Sequence, residues 1–260
     1  MRGMRERAQS SDSLGERAYQ QIRNRILRGE FPLGAALSRR ELARELGMSF
    51  VPVSEALQHL ERDGLVESAP RAGTRVRMPT PDDIRERYVL REALECQAAR
   101  LFVELAGDDE KAELVAMGRR VDQLYSFLPD ADREFAYSAH AYHMAFHMRI
   151  AEASRCKLLR DAIGRDQVLI FNCLFDTAAR QRSFPSHSEL TAALTGGEVM
   201  EADLGMRRHI RFGLDRVLAG IRAPAAPNSW RRRKRLPEQE LELVGARDGG
   251  QVYIDPKAGS

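Results

Sequence analysis

Residues 38–63, SRRELARELGMSFVPVSEALQHLERD, bury their apolar side chains most simply as two short helices joined by a tight turn. Ser38 is placed to cap the first helix, Leu42, Ala43 and Leu46 share one face of it, and Gly47 ends it. Ser49 is placed to cap the second. Pro52 is tolerated in its first turn, and Val53, Ala56, Leu57 and Leu60 recur at three- and four-residue steps. Upstream, Tyr19, Ile22 and Ile26 form a third apolar stripe across residues 15–28, before Gly29. Three such helices can close one small core.

The next segment, GLVESAPRAGTRVRM (residues 64–78), has short β-prone runs on either side of Pro70 and Gly73, with Arg71, Arg75 and Arg77 around the turn. This predicts a basic β-hairpin wing. A winged helix-turn-helix lays the second helix of its pair in the major groove of DNA while the wing and first helix hold phosphates. ELARELGMS, PVSEAL and LERDGLV, in this order, resemble the N-terminal domain of the GntR family of bacterial transcription regulators over residues 14–78. The resemblance implies a homodimer on a short inverted repeat of double-stranded operator DNA. It also implies DNA contacts from Arg40, Ser49, Phe50, Val51, Ser54 and Gly73, beside the wing arginines Arg71 and Arg75. Phe50 and Ser54 depart from the family pattern, which carries Arg at both places. Arginine forks onto guanine O6 and N7, so the usual operator sequence is not expected; Phe50 is suited to a thymine methyl group instead.

At 260 residues and 43% hydrophobic content, the chain is long enough for about two domains. No run approaches the ~18 consecutive apolar residues of a membrane span, and the N-terminal MRGMRERAQSSDS lacks the apolar stretch of a secretion signal, so a cytoplasmic protein without membrane partners is expected. Cys96, Cys156 and Cys173 are widely spaced, which predicts buried free thiols rather than a disulfide frame. The net charge of +3 is unevenly spread: residues 1–78 carry +4, residues 79–220 carry −4 and residues 221–260 carry +3. Phosphate neutralisation drives nucleic-acid affinity, so the first segment is the expected DNA-facing unit. The last segment, with RAPAAPNS before RRRKR, reads as a flexible basic tail, and residues 1–13 as a flexible start.

After the breaking linker PTPDD (residues 79–83), the chain reads as helical to residue 220. The expected helices span 82–106, 108–127, 131–153, 156–180, 187–195 and 198–219, an all-helical bundle. The fold class is therefore mainly α, a winged helix-turn-helix followed by a bundle. The bundle holds five of the six histidines. His143 and His147 stand at i, i+4, one turn apart on one helix face and able to share a metal ion. His187 begins a later helix and His209 lies in another, and helices converging on one point can build a bundle-core metal site. His140, one turn before His143, is expected at the surface, the alternatives being a substitute ligand or a place behind the ligands.

FHMRIAEASRCKLL, HSELTAALTGG and MRRHI resemble the FCD effector-binding domain of the FadR-type subfamily of these regulators, over residues 84–220. The resemblance implies a divalent ion held by an Asp and three His, with a small organic acid completing the coordination. His147, His187 and His209 match the histidines, and His143 stands at the Asp position. A four-imidazole shell loses a negative charge and favours zinc or nickel over manganese. YVLREALECQAARL (residues 88–101) resembles the first FCD helix, whose Arg faces the ligand cavity; here it is Arg91, able to hold a carboxylate bidentately. Glu95, one turn on, either pairs with Arg91 or binds ligand hydroxyls. Arg149 points away from the histidine face.

The favoured function is a ligand-responsive transcription regulator, a repressor in the usual case, in which effector and operator affinities are reciprocally coupled through RMPTPDD. The alternative is a metal-dependent hydrolase-like enzyme fused to a DNA-binding head, with Glu152 or Asp176 approaching the ion as general base. No HExxH motif accompanies the histidines.

Overall fold

A computed structural model of the chain describes residues 13–128, 132–178 and 186–222, and places them in two compact units divided between Met78 and Pro79. The tail beyond 222 and the segment before residue 13 lie outside the described residues.

In the first unit, α1 (Leu14–Leu27), α2 (Arg39–Leu46) and α3 (Phe50–Arg62) surround a core of Ile22, Ile26, Leu42, Val53, Ala56, Leu57 and Leu60. Ser38 caps α2 by accepting the Glu41 amide. Gly47 ends it at φ 63°, in the left-handed region that glycine enters without penalty, and so permits the tight turn into α3. Two details differ from expectation. Ser49 is the N-cap residue of α3 without a side-chain capping bond; the nearby Ser54 hydroxyl instead donates to the Phe50 carbonyl. Ala43 and Leu46 are only half-buried, because an eight-residue helix resting on α3 covers little more than Leu42.

The wing forms as β2 (Val66–Ala69) and β3 (Gly73–Val76), paired antiparallel with Val66 opposite Val76. A third strand, β1 (Ala36–Leu37), pairs with the other edge of β3 and gives the order β1-β3-β2. Two residues carry no alternation pattern, so β1 leaves no signal in the sequence.

The second unit is helical throughout its described residues: α4 (Pro81–Leu105), α5 (Asp108–Phe127), α6 (Arg133–Ala153), α7 (Lys157–Ala178), α8 (His187–Thr195) and α9 (Val199–Arg222). Thr80 and Asp83 form a capping box at the start of α4, with Pro81 in its first turn, where the missing amide hydrogen is harmless. Helices α4 and α9 run antiparallel. Glu92 pairs with Arg207 and with Arg211, Arg100 reaches Asp203, and Gly213 approaches the Tyr88 ring.

Helix α6 packs against α4, α5 and α7 and is buried on almost every side, including Phe135, Ala139, Met144, Phe146 and Ile150. A helix so enclosed is not amphipathic. His140, expected at the surface, is accordingly 1% exposed. Among the cysteines, Cys96 is buried as expected; Cys156 is exposed, because it lies ahead of α7 rather than inside a packed face, and the Cys173 side chain lies outside the described residues.

Helices α5 and α8 approach closely at Gly118, where a Cβ would come within 2.7 Å of Thr191 Cγ2 and 3.0 Å of the His187 carbonyl oxygen. Overpacking of this kind costs about 1–3 kcal/mol. Gly118→Ala is expected to lower the denaturation midpoint of the bundle by that order, while Gly164→Ala, where a Cβ meets nothing nearer than Met148 at 3.6 Å, does not lower it; chemical denaturation of both variants checks this.

Candidate metal centre and nucleic-acid interface

The residues read as DNA contacts lie on α2, on α3 and on the wing of the first unit. Arg40 lies in the first turn of α2, and Phe50 and Val51 open α3 with 55% and 63% of their surface exposed. Ser54 is half-buried one turn later. Arg71 occupies the wing turn at φ 66°, a strained conformation for a residue with a Cβ, followed by Gly73 at φ 80°. Arg75 lies opposite Glu67 on the paired strand, 3.3 Å from its carboxylate. Such an exposed pair is worth little, so a phosphate can take the guanidinium.

In the second unit, His143 and His147 from α6, His187 from the start of α8 and His209 from α9 converge. All four are buried, and one ligand-capable nitrogen from each lies within 4.8 Å of the others. His143 Nε2 and His147 Nε2 are 2.9 Å apart. Ligand atoms of a single tetrahedral ion at zinc–nitrogen distance stand about 3.4 Å apart, so a set lying within 4.8 Å would have to draw together by roughly 1 Å at its widest to share one ion. His187 Nε2 and His209 Nδ1 are buried without a hydrogen-bond partner among the described residues, a costly state that an ion relieves.

The outward nitrogens of three of these rings are held by neighbours. Glu95 Oε2 lies 2.6 Å from His147 Nδ1. Asp122, on α5, lies 2.9 Å from His187 Nδ1 and also accepts the backbone amides of His187 and Ser188 and the Ser188 hydroxyl. It therefore caps α8 and orients its first side chain in one contact set. The Tyr125 hydroxyl, also on α5, is 2.7 Å from His143 Nδ1 and 2.9 Å from His140 Nδ1. Neither Asp122 nor Tyr125 belongs to a histidine-containing segment, and no local sequence signal marks them.

Arg91 and Glu95 form a buried ion pair at 2.7 Å, and Arg91 Nη2 reaches His147 Nε2 at 3.2 Å. Of the two expectations for Glu95, the structure has it paired with Arg91 and supporting His147. Nearby on α7, Asp166 takes Arg87 at 3.2 Å, and Gln167, 1% exposed, leaves both amide atoms without a hydrogen bond. Arg149 turns outward to Glu110 and Glu113, as helical spacing requires. Glu152 is exposed beside Arg149 rather than near the imidazoles, and the Asp176 side chain lies outside the described residues.

Burial works against charge on these rings. It pushes His187 down to about 4 and His140 down to about 3, and holds His143 and His209 well below the usual histidine range with help from neighbouring imidazoles and Arg91. Burial alone would raise Glu95; Arg91 and His147 outweigh it and bring the carboxyl down to about 2. Asp122 is depressed further, because the hydrogen bonds of His187 and Ser188 outweigh its own desolvation.

In the unfolded chain these imidazoles take up protons below about pH 6.5, whereas in the folded bundle His187 does so only near 4 and His140 near 3. Unfolding therefore binds protons across that window, and stability falls as pH falls. Glu95 acts in the same direction, its contribution present above the unfolded carboxyl value and lost towards about 2. For metal-free protein, the denaturation midpoint is expected to decline steadily from pH 6.5 to 4, with His187 alone contributing on the order of 3 kcal/mol. A flat profile in urea titrations across this range would contradict the buried neutral state.

Residues 14–76 match the family model described as bacterial regulatory proteins, gntR family, and residues 86–212 match the FCD domain model. An HTH-type transcriptional regulator from Agrobacterium vitis is 42% identical over 39% of this chain; the chain spans 59% of that relative's length. A protein of Paenarthrobacter nicotinovorans named "Probable D-xylose utilization operon transcriptional repressor" is 30% identical over 71% of this chain and 80% of its own. The crystal structure of a GntR regulator from Rhodococcus sp. RHA1 shares the fold, with a TM-score of 0.64 at 24% identity over 79% of this chain and 97% of its own. These relatives are named as regulators, so a DNA-binding regulator rather than an enzyme accounts for the winged head and the helical bundle. The chain belongs to the GntR family of bacterial transcription regulators, in the branch whose second domain is an FCD domain.

Proposed function

We propose that this regulator is a repressor working in the cytoplasm, whose helical domain holds a divalent ion on His143, His147, His187 and His209 and senses a small organic acid there. The observation that carries the reading is the convergence of four buried imidazoles within 4.8 Å, three with their outer nitrogens already held. The ion would supply a Lewis-acidic position for a carboxylate. Arg91 gives the acid a second anchor: its Nη2 now rests on a lone pair of His147, a contact that a ligated His147 no longer offers. Gln167 and Asp166, with buried atoms lacking hydrogen-bond partners, suit a ligand that also carries hydroxyl groups. Zinc or nickel suits the all-nitrogen shell.

The head reads an inverted repeat as half of a homodimer. The exposed apolar side chains Val89 and Leu90 on α4 and Phe212 on α9 support pairing of two copies through the bundle. Arg40, Ser49, Gly73, Arg71 and Arg75 hold the backbone, while Phe50, Val51 and Ser54 face base edges. Effector binding alters the freedom of the two heads through residues 79–83, at the start of α4, and operator DNA must weaken the effector by the factor with which the effector weakens DNA.

Protein purified without chelator or affinity nickel is expected to carry about one ion per chain by elemental analysis, lost in His147→Ala, His187→Ala; ion-free wild type would overturn the metal centre. Genomic selection with the full-length protein is expected to enrich an inverted repeat, bound more weakly as salt rises. Arg71→Ala should weaken all sequences uniformly and flatten the salt slope by about one, whereas Phe50→Ala should relax preference at one position of each half-site.

A further inference from the structure

His143 faces His147 through Nε2, and its Nδ1 meets the Tyr125 hydroxyl at 2.7 Å; the same oxygen stands 2.9 Å from Nδ1 of His140, one turn earlier on α6. The Tyr125 ring lies edge-on to His140, His143 and His187, with centroids 5.3, 5.4 and 5.7 Å away. We infer that Tyr125 is the positioning residue that makes a metal ligand of His143, and that His140 is the third member of the same hydrogen-bonded chain. The inference rests on the metal centre proposed above.

A neutral imidazole carries one proton on two nitrogens. Without an ion, His147 keeps its proton on Nδ1 against Glu95, so its one Nε2 lone pair accepts a bond shared between Arg91 and His143 Nε2, and His143, with its proton on Nε2, accepts the Tyr125 proton at Nδ1. With an ion on His143 Nε2, the ring proton must sit on Nδ1. Tyr125 then accepts from His143 and donates its single proton to His140 Nδ1, leaving the His140 proton on Nε2. Metal binding thus reverses the polarity of the chain, and His140 reports it from one helical turn away.

The other two outward nitrogens meet carboxylates, Glu95 on His147 and Asp122 on His187. Tyr125 instead offers His143 a phenol hydroxyl, an orienting partner that brings no negative charge near neutral pH. An aspartate ligand would need no such partner, since a carboxylate has no second ring nitrogen to fix. Helix α5 therefore supplies no ligand but, through Asp122 and Tyr125 one turn apart, sets the rotation of two of them.

Tyr125→Phe retains the ring and removes only the oxygen. The test is Co²⁺ titration of metal-free, full-length protein, followed by visible d–d absorption, for wild type, Tyr125→Phe, His143→Asp and the double variant. Loss of an outer-shell partner typically weakens metal binding 10–100-fold. That loss, with altered Co²⁺ bands, is expected when Tyr125→Phe is made in the wild-type chain, and less than about a twofold change when it is added to His143→Asp. Unchanged affinity in Tyr125→Phe, or an equal loss in both backgrounds, would overturn the inference and leave Tyr125 a packing residue. Wild type that binds no Co²⁺ would instead remove the metal centre itself, a distinguishable result. Nitrogen-15 spectra of the Zn²⁺-loaded protein should show the His140 proton on Nε2; a proton on Nδ1 would overturn the chain's direction.

Discussion

The bundle depends on answering the hydrogen bonds of polar rings that it has removed from water. His140, His143, His147, His187 and His209 are all buried, together with the Arg91–Glu95 ion pair. Each unanswered buried polar atom costs about 1–3 kcal/mol, against a total stability of about 5–15 kcal/mol for a domain. The surrounding helices answer part of this demand with Glu95, Asp122 and Tyr125; among the described residues, atoms without a hydrogen bond include His187 Nε2 and His209 Nδ1 of the converging set, and also Asp166 Oδ2 and both amide atoms of Gln167.

Helix α5 shows how economically the constraint is met. Asp122 closes the N-terminus of α8, where free amides and the helix dipole favour a carboxylate, and in doing so holds His187 in place. Gly118, one turn before Asp122 on α5, lets α8 approach closely enough for that contact. Stability and ligand orientation are inseparable here, because the residues that cap and pack α8 also aim its first side chain.

The DNA-binding head follows different physics. Its core is a conventional apolar cluster beneath α1, α2 and α3, and the residues proposed above to meet DNA are among those left uncovered: two apolar residues at the start of α3 and arginines on α2 and the wing. On the proposed contacts, Phe50 and Ser54 offer no guanidinium fork to guanine, so shape and methyl contacts would carry more of the discrimination.

Much of this was legible in the residues alone. Caps, breakers and helical periodicity located the helix-turn-helix and the wing, and the i, i+4 spacing of His143 and His147 put two imidazoles on one face, because these signals act over one or two turns. The short strand β1, the burial of His140 and the exposure of Cys156 were not, since each depends on what packs against it. Nor were Asp122 and Tyr125, which lie 65 and 18 residues from the histidines they hold and follow no spacing rule. Local sequence determined which helices form and which nitrogens they can offer. Only the tertiary packing of α5, α6, α8 and α9 decided which of those nitrogens converge and what stands behind each, because α6 is buried around most of its circumference and its narrow polar edge does not reveal which neighbour meets which buried face.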